Sequence, residues 1–281
     1  MKRLFLCLLI FSLFIPWMTA EASASKGKIL LIASSTDTLT LQNGKTMPTG
    51  FYLNELAVPA QYLSDHGYEI VLATPKGNRP IMDSGSNSSK FFKDQASYER
   101  ALAFVDSLQP IRIADADQQL DTFAGIFIPG GHAPMNDLVE DLDLYTALKF
   151  FHEHQKPTAT ICHGAAGLLA GMENAAAFRE DLTTGNTKNA QNNSNDWLYK
   201  GYHMTAFSNA EEFGGEIKMG TQMPFHVADA LQIAGANIDE YTIFGSHVIR
   251  DRELVTGQNP ASDEALAKTF YEVLQEHKIK A

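Results

Sequence analysis

The sequence predicts an α/β domain with a mainly parallel sheet covered by helices on both faces. Two observations carry this. Strand-like and helix-like segments alternate from Lys28 to the last helix. Most of the strand-like segments are continuous apolar runs, the pattern of strands buried on both faces. No linker or internal repeat divides the chain, so residues 25–281 read as one domain.

The elements follow in order. "KILLIAS" (28–34) is the first strand, and a polar loop runs on to Gly50. Residues 54–66 read as a helix with Leu56, Ala60 and Leu63 on one face. A proline fits only the first turn of a helix, so this one is expected to start just before Pro59 and to end at Gly67. "YEIVLAT" (68–74) is the second strand, and residues 96–108 the next helix. "GIFIPGG" (125–131) is a third strand entering a glycine turn. Residues 138–154 read as one amphipathic helix, striped by Leu138, Leu142, Tyr145 and Leu148. "TATIC" (158–162) is a fourth strand, with a helix over 165–172. The Asn-, Thr- and Ser-rich stretch 180–201 reads as a surface excursion or flap. "YHMTAFS" (202–208) is a fifth strand, and 224–235 a helix closed by glycine. Residues 246–257 form a hairpin turning at Asp251-Arg252, and Ser262 caps the last helix.

The first residues have the layout of a secretory leader. Lys2 and Arg3 precede an apolar run from Leu4 to Trp17, and Ala22-Ser23-Ala24 offers a cleavage site. The run is shorter than the roughly 20 residues of a membrane span. The expectation is an exported protein with a leader over 1–24. The formal net charge of −11 argues against nucleic acid and anionic membranes as partners. Apolar residues make up 44% of the chain, enough for a full core. Of the two cysteines, Cys7 falls in the leader, so Cys162 stands alone in the exported chain, either inert or kept for reactivity.

In parallel α/β sheets, ligands bind beyond the carboxyl ends of the strands. Cys162 ends one strand, and "HGAAG" follows with small residues that permit a sharp turn into a helix. That is the layout of a nucleophile elbow. The positive end of the helix would favour a thiolate. Spacing alone divides evenly between this and a buried structural cysteine. His163 is a base or a polar helix-start residue; Glu211 and Glu212 are orienting acids or a solvated pair. Glu55 is a dipole partner of its helix unless it reaches Cys162. Gly130 and Gly131 offer open backbone N–H groups for an oxyanion, and His132 reads as a loop histidine. Phosphate-loop and H-E-x-x-H zinc motifs are missing, and "HEH" (152–154) is a weak metal pattern because neighbouring helical residues diverge.

"GFYLNELAVPAQYLSDHGYEIVLATPKG", "FIPGGHAPMNDL", "ATICHGAAGL", "TAFSNAEE" and "LVTGQNPAS", in that order, resemble the ThiJ/PfpI superfamily. The first of them is most similar to its heat-shock-chaperone and glyoxalase III branch. The resemblance runs from Lys28 to the last helix. It implies a flavodoxin-like three-layer sandwich, related to the class I glutamine amidotransferase fold and commonly homodimeric. It also implies Cys162 as nucleophile, His163 as its base, Glu212 as the acid of the triad and Glu55 as the glutamate bonded to the cysteine. The oxyanion donors are implied to be backbone groups near Gly131 and His163. The implied activity is a glutathione-independent glyoxalase of the D-lactate dehydratase class, acting on a small reactive carbonyl without metal or cofactor. An exported holdase, or a cysteine hydrolase (peptidase or deglycase) at the same site, is the alternative. The chain departs from many relatives in having Ala165 where they have proline, in its Asn-rich stretch and in its leader.

Overall fold

The computed structural model describes residues 25–280. The expected leader over 1–24, with Cys7, lies outside them. Seven strands form the central sheet: β1 (Lys28–Ile32), β2 (Glu69–Thr74), β3 (Ile111–Arg112), β4 (Phe123–Ile128), β5 (Thr158–Ile161), β6 (Val248–Asp251) and β7 (Leu254–Gly257). Their order is β6-β7-β5-β4-β1-β2-β3, parallel except for β6 against β7. The 246–257 hairpin thus supplies one parallel strand beside β5 and an antiparallel edge.

Each central strand feeds two cores, which is why its sequence is continuously apolar. From β1, Leu30 and Ile32 enter one core and Ile29 and Leu31 the other; from β4, Ile126 and Ile128 oppose Phe127. The second core is closed by α1 (Leu53–Asp65) and α2 (Gln95–Ser107) together with the long C-terminal helix. The first is closed by α3 (Leu142–Glu153), α4 (Ala175–Thr183), α5 (Thr187–Asn193) and, after α6 (Asn209–Met219), α7 (Val227–Ala234). The C-terminal helix is α8 (Asp263–Lys280). The three layers of the expected fold are present.

Several expectations are corrected. α1 begins at Leu53, so Pro59 lies in its interior. Pro59 deprives the Glu55 carbonyl of its helical donor, a loss of about 3 kcal/mol. Burial of Leu53, Leu56 and Leu63, at about 1.5–3 kcal/mol each, outweighs it. Residues 138–154 are a 3-10 turn and a separate helix. Asp141 divides them and caps α3 by accepting the Leu144 N–H at 2.8 Å. The buried stripe is Leu144, Ala147, Leu148 and Phe151, and Leu142 is exposed. "YHMTAFS" is not a strand of the central sheet: only His203–Met204 pairs, in a separate two-stranded sheet with Asn237–Ile238, and the hairpin strand β7 occupies the place beside β5. Asn259 caps the turn into α8, while Ser262 accepts the His247 N–H.

The stretch 180–201 is no flap. It contains α5 and packs Ala190, Trp197 and Tyr199 into the first core. Trp197 Nε1 donates to the Leu168 carbonyl at 2.7 Å, and the Leu198 N–H to Gly171 at 3.0 Å. The polar residues that suggest a loop mostly occupy the outer positions of these turns. Trp197→Ala is expected to cost about 3–5 kcal/mol, read as a lower urea midpoint at unchanged slope. A midpoint within error of wild type would return this stretch to the surface.

Candidate active site

Cys162 follows β5 directly with a left-handed backbone, φ 59°. That conformation costs a non-glycine residue about 1–2 kcal/mol and concentrates at functional sites. Residues 162–170 continue as a 3-10 helix, so strand-to-helix elbow geometry is present. Gly130, at the turn after β4, lets this elbow approach: a Cβ there would come within 2.7 Å of the Cys162 Cβ. The Tyr52 N–H donates to the Gly130 carbonyl at 3.0 Å and ties the start of α1 to the same turn.

The elbow turns two adjacent side chains toward each other. Cys162 Sγ lies 3.2 Å from His163 Nδ1, and His163 Nε2 lies 2.6 Å from Glu212 Oε2. Ser208 caps α6 in a reciprocal capping box with Glu211 and so fixes the first turn of the helix that carries Glu212. The neighbouring Glu211 does something else. It accepts from Gln258 at 3.0 Å, Asn259 at 2.7 Å and the Phe244 N–H at 2.7 Å, and so joins α6 to the chain after β7 and to the 240–245 loop.

Charge states follow from the surroundings. Burial alone would raise the Glu212 carboxyl, but His163 and His132 more than offset it and hold it well below the usual carboxylate range. An anionic Glu212 can only accept, so His163 carries its proton on Nε2 and turns the Nδ1 lone pair to the sulfur. Burial, then the charge of His132, lowers His163 despite Glu212, so the ring is neutral at rest. Burial and the neighbouring Glu55 push the Cys162 thiol well up. Only the backbone N–H groups of His163 and Gly131, the two positions expected to serve an oxyanion, favour its anion.

The expectation of a thiolate favoured by the helix start is therefore corrected. Desolvation of a buried sulfur outweighs the two amides. Glu55 is fully buried, and burial pushes its carboxyl well up. It faces the thiol and the Gly130 N–H, yet neither approach reaches full hydrogen-bond geometry. At rest the thiol faces a neutral imidazole on one side and, on the other, the buried Glu55 carboxyl, which burial pushes toward its protonated form.

The structure brings Cys162, His163, Glu212, Glu55 and the Gly131 amide together. It adds two residues. His132, read as a loop histidine, places Nε2 3.1 Å from Glu212 Oε1 and its ring 4.0 Å from that of His163. Phe207 packs on His163 at 4.5 Å. The adjacency of His132 to the glycine turn was the only available hint, because its partner lies far along the chain. Among the described residues, His132, His163 and Glu212 also form the cluster whose ligand atoms lie within 4.8 Å, the spacing a metal ion would need. These atoms already close the hydrogen bonds that set the His163 tautomer.

A model of the DJ-1/PfpI family matches residues 46–198 of this chain. The chain belongs to the DJ-1/PfpI family. Among curated proteins it is similar to the protein/nucleic acid deglycase HchA of Pseudomonas aeruginosa, at 26% identity over 256 residues, covering 89% of this chain and 81% of that one. The HchA of Staphylococcus aureus is 26% identical over 251 residues, covering 86% and 78%. Among solved structures, glyoxalase III of Candida albicans shares the DJ-1/PfpI fold with a TM-score of 0.63 and 20% identity, covering 88% of this chain and 97% of that one.

Proposed function

We propose that this chain is a glutathione-independent glyoxalase that converts methylglyoxal to lactate through a Cys162 hemithioacetal. One observation carries the proposal: a single buried sulfur lies 3.2 Å from His163 Nδ1, with the fully buried Glu55 carboxyl facing it as well. Moving a proton between adjacent carbons needs a base and an acid held at one place, and a simple thiol hydrolase has less use for the second.

In this scheme the sulfur attacks the aldehyde carbon as its proton passes to His163 Nδ1. The new oxygen, held by the amides of Gly131 and His163, takes that proton back from the imidazolium, giving a hemithioacetal. The neutral His163 then removes the hydrogen from the former aldehyde carbon while Glu55 gives a proton to the neighbouring carbonyl oxygen, forming an enediol. His163 delivers its proton to that neighbouring carbon as the first hydroxyl returns a proton to Glu55, which yields a lactoyl thioester. Water then cleaves the C–S bond, releasing lactate and the thiol. Each general-base step of this kind is typically worth ~10²–10⁴ in rate. Glu212 holds the tautomer throughout.

We further propose that residues 1–24 direct export, where independence from the cytosolic thiol pool suits the activity. The deglycase names of the HchA relatives favour a second reading, removal of the same carbonyl from an amine adduct through the same thioester. The test is residues 25–281 with methylglyoxal and no added thiol. Lactate should form in step with carbonyl loss. Release of free amine from a preformed lysine adduct faster than free methylglyoxal is consumed would favour the deglycase. Carbonyl loss at the buffer rate in both assays would remove both readings.

A further inference from the structure

We infer that His132 is a positioning residue for His163, acting through the carboxylate they share. Glu212 is held from both sides: Oε2 takes the His163 Nε2–H at 2.6 Å and Oε1 the His132 Nε2–H at 3.1 Å. A carboxylate with one donor can rotate about its terminal bond, whereas one with a donor on each oxygen is fixed in plane. The two imidazoles also pack together in a tilted contact, with centroids 4.0 Å apart and planes at 40°. His132 therefore sets both the acid behind His163 and one face of its ring, with Phe207 against the ring as well at 4.5 Å.

The location fits this role. His132 follows the Gly130-Gly131 turn, so one short segment supplies the close approach to Cys162, the Gly131 amide beside the sulfur and the second donor to Glu212. The His132 side chain is 22% exposed, against 5% for Glu212 and 2% for His163. It is thus the member of the Cys162–His163–Glu212–His132 chain that reaches solvent. The other titratable groups facing this cluster are Glu55 and Tyr52 near the sulfur and Glu211, whose charge reaches His163. All three remain in the variants below.

Removing His132 takes one donor from Glu212 and one repelling neighbour from His163. The carboxyl then protonates at higher pH, and so does the imidazole. Either event ends the neutral, Nε2-protonated state of His163. The acid edge of that state should rise.

Three variants separate the donor from the ring. His132→Phe keeps a ring in contact without a donor, His132→Gln keeps a donor without the ring, and His132→Ala keeps neither. Ring-nitrogen NMR of His163 against pH reads the tautomer without any substrate. The acid edge should move up by about one unit or more in the Phe and Ala variants, and less than half as far in Gln. Where methylglyoxal is turned over, kcat in the Phe variant should fall about 10-fold or more with KM within twofold, its acid limb moving with the NMR edge. An acid edge identical to wild type in Phe and Ala overturns the inference, and so does a Gln variant shifted as far as Phe. The kinetic part rests on the glyoxalase reading and the NMR part does not. A moved edge in a protein that leaves methylglyoxal untouched would reject that reading alone.

Discussion

Cys162→Ala should lower methylglyoxal turnover by at least about 10³-fold and leave the protein folded. The proposed route has no path around the sulfur, since the hemithioacetal and the thioester both form on it. The substitution removes one small buried atom from a site whose packing comes from its neighbours, so the stability change should be about 1 kcal/mol. The left-handed backbone sharpens the test. Cys162→Gly should be as inactive as Ala, yet at φ 59° glycine relieves strain that alanine retains. A glycine variant at least as stable as the alanine variant would show that this conformation is held for chemistry. The charge state makes a companion measurement. A thiol raised by burial and by Glu55 is neutral at pH 7, and its anion appears only as pH rises past the ordinary thiol range. Alkylation by iodoacetamide should be slow at pH 7 and still climbing above pH 9. Fast alkylation at neutral pH would mean a resting thiolate and a different proton inventory. Lactate formation at wild-type rate by the alanine variant would remove the covalent scheme altogether.

The parts of the fold that were legible in the sequence are those where local pattern and tertiary role agree. β1 and β4 are apolar on both sides because each side meets a core. The hairpin at Asp251-Arg252 announces its own turn. Misreadings arose where tertiary packing overrides a local rule. Pro59 sits inside α1 because the burial of three leucines outweighs one lost hydrogen bond. The Asn-rich stretch is mostly polar on its outer side while Trp197 and Tyr199 hold it to the body. At the site, Cys162 was legible as a strand end but undecided as a nucleophile. Glu212 and Glu55 are candidates by position, and only the family resemblance assigns their roles, because residues brought together from separate elements leave no spacing signal. His132 reads as a loop histidine for the same reason. The direction of the thiol shift was also beyond a reading of helix ends, since it depends on how fully the sulfur is buried.

Glu212→Gln should reduce kcat by about 10³–10⁴ with little change in fold. Two imidazole N–H groups point at two carboxylate oxygens. A glutamine offers one oxygen and one NH₂ in the same space, so one histidine must face a donor. If the amide nitrogen faces His163, the ring is driven to the other tautomer and its proton moves to Nδ1, against the sulfur. The base is then occupied, as in triads whose acid is replaced by its amide, where the loss is about 10⁴. If the amide nitrogen faces His132 instead, His163 keeps its tautomer but loses the charge that stabilises its imidazolium, and the loss is smaller. Combining Glu212→Gln with His132→Ala removes that competition for the oxygen, so the double variant should recover part of the activity lost by Gln alone. Stability carries an independent sign. Glu212 is depressed in the folded chain, so its contribution is present above the ordinary carboxylate range and is lost as pH falls through the folded value. The Gln variant should therefore trail wild type by about 2 kcal/mol or more at pH 7, and the gap should narrow toward pH 3. A gap that stays constant with pH would mean that Glu212 is not held as an anion, and the tautomer of His163 would then need another cause.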